Sequence, residues 1–258
     1  MMAHSLSAVS LRHVPVRRVA IDDASQWLAA GWRDFRRAPA IALAYGGVLV
    51  IAGYVIVLGL HDLGVGSLVP VALAAFFLVA PLLAVGLYDV SRRLERGDAI
   101  SMGHALRAFR RNARGLGAMG LVLMLSVAAW MQVALLVFMM FFHTSPPPLD
   151  DFIYGIVTAP QFLPFLLVGT MAGAAIATVV FAITAVSIPM LLDHDMSAGL
   201  AIATSIAAVR ENWRTMLGWA ATIVLLIGAG FATAFIGLAV TLPLLAFASW
   251  HAYRDLVD

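Results

Sequence analysis

The chain has 258 residues and a net charge of +2, with 62% hydrophobic and only 12% charged residues, a balance that excludes an ordinary soluble domain and reads as a membrane protein. It contains no cysteine, which removes disulfides, haem attachment through paired cysteines, iron–sulfur clusters and thiol catalysis. Lysine is absent too, so all 16 basic residues are arginine and a lysine-dependent phosphate loop or Schiff base is excluded.

At the N-terminus, Arg12, His13, Arg17 and Arg18 interrupt any apolar core of the secretory type. Residues 1–22 are therefore expected to form a cytoplasmic tail. Residues 23–258 form a single transmembrane domain on this reading, because no polar segment approaches the ~50 residues of a separate domain. In DASQWLAAGWRDFRR, Gln26 follows Asp23 at capping-box spacing, and Trp27, Leu28, Gly31 and Phe35 share a face away from Arg33, Arg36 and Arg37. This pattern predicts an amphipathic helix in the headgroup plane.

A crossing needs roughly 20 apolar residues. The first runs from about Pro39 to Leu60 and stops at HDLGVGS, and the second covers about Leu68 to Asp89. Gly97 is placed to end the second span's extension and Asp98 to cap the next amphipathic helix, whose Leu106 and Phe109 face the acyl boundary. On that helix Arg107, Arg110, Arg111 and Arg114 fall at i, i+3, i+4 and i+7, one stripe. Each arginine near an anionic leaflet contributes about 1 kcal/mol. These four, with Arg36, Arg37, Arg210 and Arg214, are the predicted contacts to lipid headgroups.

The third span begins after Gly115 and reaches about Phe142, where HTSPPPLDD stops it. The fourth lies within Phe162 to Leu192; DFIYGIVTAPQFLP before it can form a short interfacial helix. Met216 to Trp250 is too long for one crossing by about a dozen residues. It is read as a hairpin turning at Gly228–Gly230, with a single tilted span as the alternative. On the hairpin reading all arginines fall on one side, and His61, Asp62, His143, Asp150 and Asp151 on the other. Positive loops are retained in the cytoplasm, so both termini are expected there.

The chain also repeats. FRRAP at 35–39, FRRNA at 109–113 and VRENW at 209–213 each precede an outward span, and Pro81, Pro189 and Pro243 each sit near the end of an inward one. Approximate copies span residues 23–96, 97–195 and 196–258. The predicted fold is thus an all-α, polytopic transmembrane helical bundle of six spans in three helical hairpins, each preceded by a cytoplasmic amphipathic helix. Parallel repeats of this kind occur in some transporters.

Little in the sequence suggests chemistry. A nucleic-acid partner is not expected, because an arginine helix lying on the membrane has no room to enter a groove. Asp193, His194 and Asp195 are neighbours whose side chains diverge by roughly 100° on a helix, so they do not close on one metal. His251, between Trp250 and Tyr253, reads as part of an interfacial aromatic belt, and His61 with His143 offers no ligand set. Within the spans the polar residues are mild. Gln132, near the middle of span three, can hydrogen-bond across helices, while Gly169 and Gly173 form a small-xxx-small pair that marks helix packing within a subunit or between subunits.

GWRDFRRAP, PLLAVGLYDVSRRLERGD and PMLLDHDMSAGLAIATSIAAVRENWRTML together resemble a bacterial integral membrane family, domain of unknown function 2189, from about residue 27 to the end. The resemblance implies no established activity, although some members carry the label of cytochrome c oxidase component. This chain lacks the row of mid-membrane histidines a catalytic oxidase subunit would need; an accessory subunit is compatible. The expected role is non-enzymatic, without cofactor or metal: a structural, accessory or assembly partner of a membrane complex, respiratory oxidase included, in the bacterial cytoplasmic (inner) membrane. Its expected partners are anionic membrane lipids and a membrane protein or second copy. A small-solute permease built on the threefold hairpin is the alternative.

Overall fold

The computed structural model describes residues 14–144, 147 and 152–257. Arg12, His13, Asp150, Asp151 and most of the HTSPPPLDD stop lie outside the described residues. Among those described, every regular element is helical, and the only strand-like feature is an isolated antiparallel bridge between Val16 and Val257. In chain order the α-helices are α1 (Asp23–Arg37), α2 (Pro39–Asp62), α3 (Val69–Leu83), α4 (Val85–Arg96), α5 (Met102–Arg107), α6 (Ala113–Phe142), α7 (Phe152–Val157), α8 (Phe162–Thr184), α9 (Ser187–Asp193), α10 (Ala198–Glu211), α11 (Trp213–Ala232) and α12 (Leu238–Leu256). Five continuous apolar segments are long enough to cross a membrane: Pro39–Asp62, Gly66–Arg96, Ala113–Phe142, Phe162–Asp193 and Trp213–Ala232. α12 is not among them, because His251, Arg254 and Asp255 dilute its apolar run.

Local chemistry sets the boundaries. Pro39 opens α2, where its missing N–H is no loss. Gly97 closes α4 at φ +71°, as the sequence predicts. One cap differs from expectation: Ser101 rather than Asp98 caps α5, accepting from the His104 amide, while Ser197 caps α10, accepting from the Leu200 amide. Both serines have extended backbone, the geometry an N-cap requires, immediately before the first turn. Asp23 is inside α1 instead of capping it; one carboxylate oxygen takes the Ala20 amide and the other the Gln26 side chain.

The stretch from Met216 to Trp250 does break into two helices, but at Thr233–Gly237 rather than at Gly228–Gly230, which continues α11. Ala234 and Phe235 both adopt left-handed φ, +50° and +70°, a conformation that costs non-glycine residues about 1 to 2 kcal/mol each. Tyr54 of α2 offsets this: its hydroxyl donates to the Ala234 carbonyl and its ring lies 5.6 Å from that of Phe235. DFIYGIVTAPQFLP holds the short α7, ahead of α8.

The core sits at the end of the bundle where Val16 bridges Val257. There α4, α9 and the C-terminal half of α12 pack against one another, burying Val85 to Arg92, Ser187 to Leu192 and most of Pro243 to Tyr253. α5 covers α4, α10 covers α9, and α1 covers α12. Two glycines allow the closest approaches to α12: a Cβ on Gly31 would stand 2.6 Å from the Ala248 amide nitrogen, and one on Gly46 2.2 Å from the Ala239 carbonyl oxygen. Toward the other end the helices spread. Few residues of α3 and α6 are buried there, and Leu121, Met124, Leu125, Leu136 and Met140 of α6 are exposed, as befits side chains that meet lipid tails rather than water.

Candidate functional site: the arginine-bearing face

The arginines divide into two classes by what they touch. The first class is built into the core. Nη2 of Arg92, whose side chain is 3% exposed, holds Asp89 at 2.6 Å, and Nε of Arg93 takes the other oxygen at 2.8 Å. Asp193, at the end of α9, accepts from Arg96 of α4 at 2.9 Å and from the Tyr253 hydroxyl of α12 at 3.2 Å. Glu95 accepts from Trp250 Nε1 and from Arg254 Nε, each at 3.2 Å, and Arg254 also reaches Asp193 at 3.5 Å. Burial opposes the charge of Arg254, but Glu95 and Asp193 outweigh it and hold the guanidinium above its ordinary pKa. Burial, then the charge of Asp193, pushes the Tyr253 phenol up. The carboxylates of α4 and α9 therefore fasten the three core helices together.

α1 is fastened in the same way. Asp34, 5% exposed, accepts from Ser91 Oγ at 2.7 Å and lies 2.8 Å from His251 Nε2, while Trp27 Nε1 donates to Asp255 at 2.7 Å. His251 is thus a core residue and not part of an aromatic belt. Trp250 and Tyr253 beside it are 0% and 1% exposed, because α1 lies over this half of α12 and excludes the membrane interface from it. The sequence held one signal for this network: an aspartate on the otherwise apolar face of α1.

Two buried asparagines, Asn112 and Asn212, also escaped the sequence reading. Asn112 caps α6 through the Gly115 amide at 2.9 Å, and its NH2 donates to the Met196 carbonyl at 3.0 Å. Asn212 accepts from the Val19 amide and donates to the Arg17 carbonyl, both at 2.9 Å. Each side chain clamps a linker distant in sequence. Their recurrence in FRRNAR and VRENWR was the available sign.

The second class of arginine is exposed. Arg36, Arg37, Arg110, Arg114 and Arg210 project from the junctions where α1, α5 and α10 lead into the long helices, and none forms an ion pair with a described residue. Arg107 bonds only the Gly103 carbonyl of its own helix, at 3.0 Å. Arg111 donates to the Leu192 carbonyl at 3.3 Å, and burial followed by the charge of Arg92 lowers its pKa. The Arg214 guanidinium stands 5.2 Å from the centre of the Trp213 ring. The four arginines of RAFRRNAR do not share one helix: α5 ends at Arg107 and α6 begins at Ala113, with a 3-10 turn between. Among them stand exposed apolar side chains, Trp32, Leu106 and Trp213 at 43%, 61% and 57% exposure. A cleft of about 270 Å³ between the N-terminal segment and the head of α11 is lined by Arg18, Arg214, Trp213 and Glu211.

The packing residues scatter. Gln132 is exposed on α6, about 27 Å along the axis from Arg114 at 1.5 Å per residue. Gly169 has no close neighbour and Gly173 only ordinary contact with Trp130, at 3.4 Å. Pro81 lies inside α3 just before the break at Ala84, Pro189 in the first turn of α9, and Pro243 inside the unbroken α12. Thr184 bonds its own helix at Val180, and Thr241 Oγ1 is buried without a partner. Gln132, Thr184 and Thr241 line neither the 270 Å³ cleft nor a second cavity of about 130 Å³ among the described residues. His194 Nε2 stands 3.8 Å from Asp193 Oδ2, the imidazole 47% exposed and the carboxylate buried in the core network. Among the described residues no three of His, Asp and Glu gather as metal ligands.

The family model described as Predicted integral membrane protein (DUF2189) matches residues 68–193, so the middle of the chain is similar to that family of integral membrane proteins. The match takes in PLLAVGLYDVSRRLERGD and the opening PMLLD of the third motif but not GWRDFRRAP. No curated protein and no solved structure matches the chain.

Proposed function

We propose that this integral membrane protein is a non-enzymatic accessory or assembly subunit of the bacterial inner membrane, seated by anionic headgroups and docked to a membrane-protein partner or a second copy. The observation that carries the reading is the division of the arginines. Those of the core network have their counter-charges within the chain, whereas Arg36, Arg37, Arg110, Arg114 and Arg210 have none among the described residues and are open to counter-charges from outside. Anionic lipid phosphates and a partner's acidic loops are the counter-charges available at a membrane surface.

A threefold unit and six crossings support the same reading. Four residues before each of Arg36, Arg110 and Arg210 stand Trp32, Leu106 and Ile206, all exposed, so each copy offers an apolar group to dip and a cation to hold. The cover helices α5 and α10 each pack on the core helix of the copy before, and α1 closes the ring on α12. The pairing of Val16 with Val257 supports an even number of crossings, with α12 as the sixth and the arginine side cytoplasmic. The permease has less support, since Gln132, Thr184 and Thr241 line neither of the two cavities described. Purification in mild detergent with mass spectrometry of co-purifying proteins and lipids tests the proposal: a reproducible membrane-protein partner together with anionic lipid is expected, and a chain that always emerges alone and lipid-free would overturn it.

A further inference from the structure

Between α2, α3, α11 and α12 lies a cavity of about 130 Å³. Leu49, Phe77, Pro81 and Ile223 are among its apolar walls, and Tyr88 and Ser249 bring the hydroxyls. A cavity near this size with aliphatic and aromatic walls accepts a group the size of a benzene ring. Tyr88 is 4% exposed, yet its hydroxyl and that of Ser249 hydrogen-bond to no described residue. Both hydroxyls are thus free to donate to an oxygen of a ligand, beside walls that take an apolar group.

Depth narrows the ligand. The Tyr45 hydroxyl donates to the Leu83 carbonyl, and Tyr45 lies about 9 Å along α2 from Pro39 at 1.5 Å per residue. Tyr88 follows Leu83 toward the arginine-bearing end, which places it near the level of the first turn of α2, just inside the exposed Arg36 and Arg37. In a bilayer this is the boundary between headgroups and acyl chains. From there the walls rise through Pro81 to Phe77, into the apolar layer.

We propose that the cavity takes the carbonyl-proximal part of an acyl chain from a phospholipid of the leaflet on the side of the termini, with the ester oxygen accepting from Tyr88 or Ser249. The same chemistry, an apolar chain bearing a carbonyl, is also offered by a free ester, so the test uses both. The full chain in detergent is irradiated with a phosphatidylglycerol carrying a diazirine in its acyl chain, or with a diazirine fatty-acid methyl ester, and the labelled peptides are mapped by mass spectrometry. Phosphatidylglycerol is expected to label peptides containing Leu49, Phe77 or Ile223. Tyr88→Phe and Ser249→Ala together should cut that labelling about fivefold or more. Ala84→Leu, which fills the cavity, should abolish it; where Ala84→Leu disturbs folding, seen as loss of a monodisperse elution peak, Ala80→Val replaces it. Labelling of these peptides that is indifferent to both changes would overturn the proposal. Labelling by the methyl ester alone would overturn the assignment to a phospholipid.

Discussion

The backbone N–H of Arg17 donates to the carbonyl of Leu256 at 2.9 Å, so the two ends of this membrane protein are laid against each other. Val16 bridges Val257 beside them, and the Val14 amide donates to Thr204 Oγ1 at 3.1 Å. Because the chain has no cysteine, single cysteines report topology without background. Arg18→Cys and Asp258→Cys should react with a membrane-impermeant maleimide from the same side of sealed inverted vesicles, and His61→Cys only from the opposite side. Reaction of Arg18→Cys and Asp258→Cys from different sides would remove the even number of crossings.

Asn212 is the joint through which the N-terminal segment is held. Its side chain meets the Val19 amide, the Arg17 carbonyl and the Ala208 carbonyl, at 2.9, 2.9 and 3.2 Å, and only 5% of it is exposed. Asn212→Ala leaves buried backbone groups unpaired, a loss of about 1 to 3 kcal/mol. Thermal unfolding in detergent should shift down, and limited proteolysis should cut within residues 14–22 before any helix is lost. Unchanged protection of that segment would show that the bridge to Val257 suffices without the amide.

What the sequence disclosed follows from what each kind of contact needs. The long apolar runs, the glycine stop at Gly97 and the arginine-marked junctions were legible because composition and local geometry alone produce them. The turn at Thr233–Gly237 was not, since nothing in ATAFIG advertises two consecutive left-handed residues; it depends on Tyr54, which is distant in sequence. His251 was misplaced for a similar reason. A histidine between aromatic residues suits a membrane interface until a second helix covers it, and only the fold brings Asp34 to 2.8 Å from its ring. The exposed arginines were visible as residues, but the absence of intramolecular partners, which turns them into a candidate surface, depends on where every carboxylate went.

The glycines separate close crossings from open faces. A methyl on Gly46 would meet the Ala239 carbonyl and one on Gly31 the backbone of Ala248, neither of which yields as a flexible side chain would. Gly46→Ala and Gly31→Ala should each destabilise the fold by about 1 to 3 kcal/mol, the usual effect of overpacking. Gly169→Ala and Gly173→Ala have room within the chain and should stay within about 0.5 kcal/mol. Thermal denaturation of the four variants at low protein concentration in one detergent checks the contrast. Should Gly173→Ala instead weaken self-association at unchanged stability, the pair serves contact between copies.

The two classes of arginine call for opposite outcomes from the same chemical change. Arg92→Gln removes the guanidinium whose Nε and Nη2 both donate to Asp89 Oδ1, on a carboxylate only 1% exposed. Stripping one member from a buried ion pair typically costs 3 to 5 kcal/mol, roughly, and Arg93, which still holds the other oxygen, should keep the loss near the lower figure. Lipid retention by the fraction that folds should not change. Arg110→Gln with Arg114→Gln touches two side chains that have no acidic partner among the described residues, so stability should move by less than about 0.5 kcal/mol. Each loses about 1 kcal/mol of attraction to an anionic leaflet, and retained phosphatidylglycerol, measured by native mass spectrometry, should fall roughly fivefold per arginine. Raising salt should mimic the second pair of substitutions and leave the first unmoved, because exposed charges are screened within about 10 Å at 0.1 M while the buried pair is not. A fold that fails on loss of Arg110 and Arg114, with lipid retention intact, would mean that these side chains hold the protein together and that the outward-facing charge has another purpose.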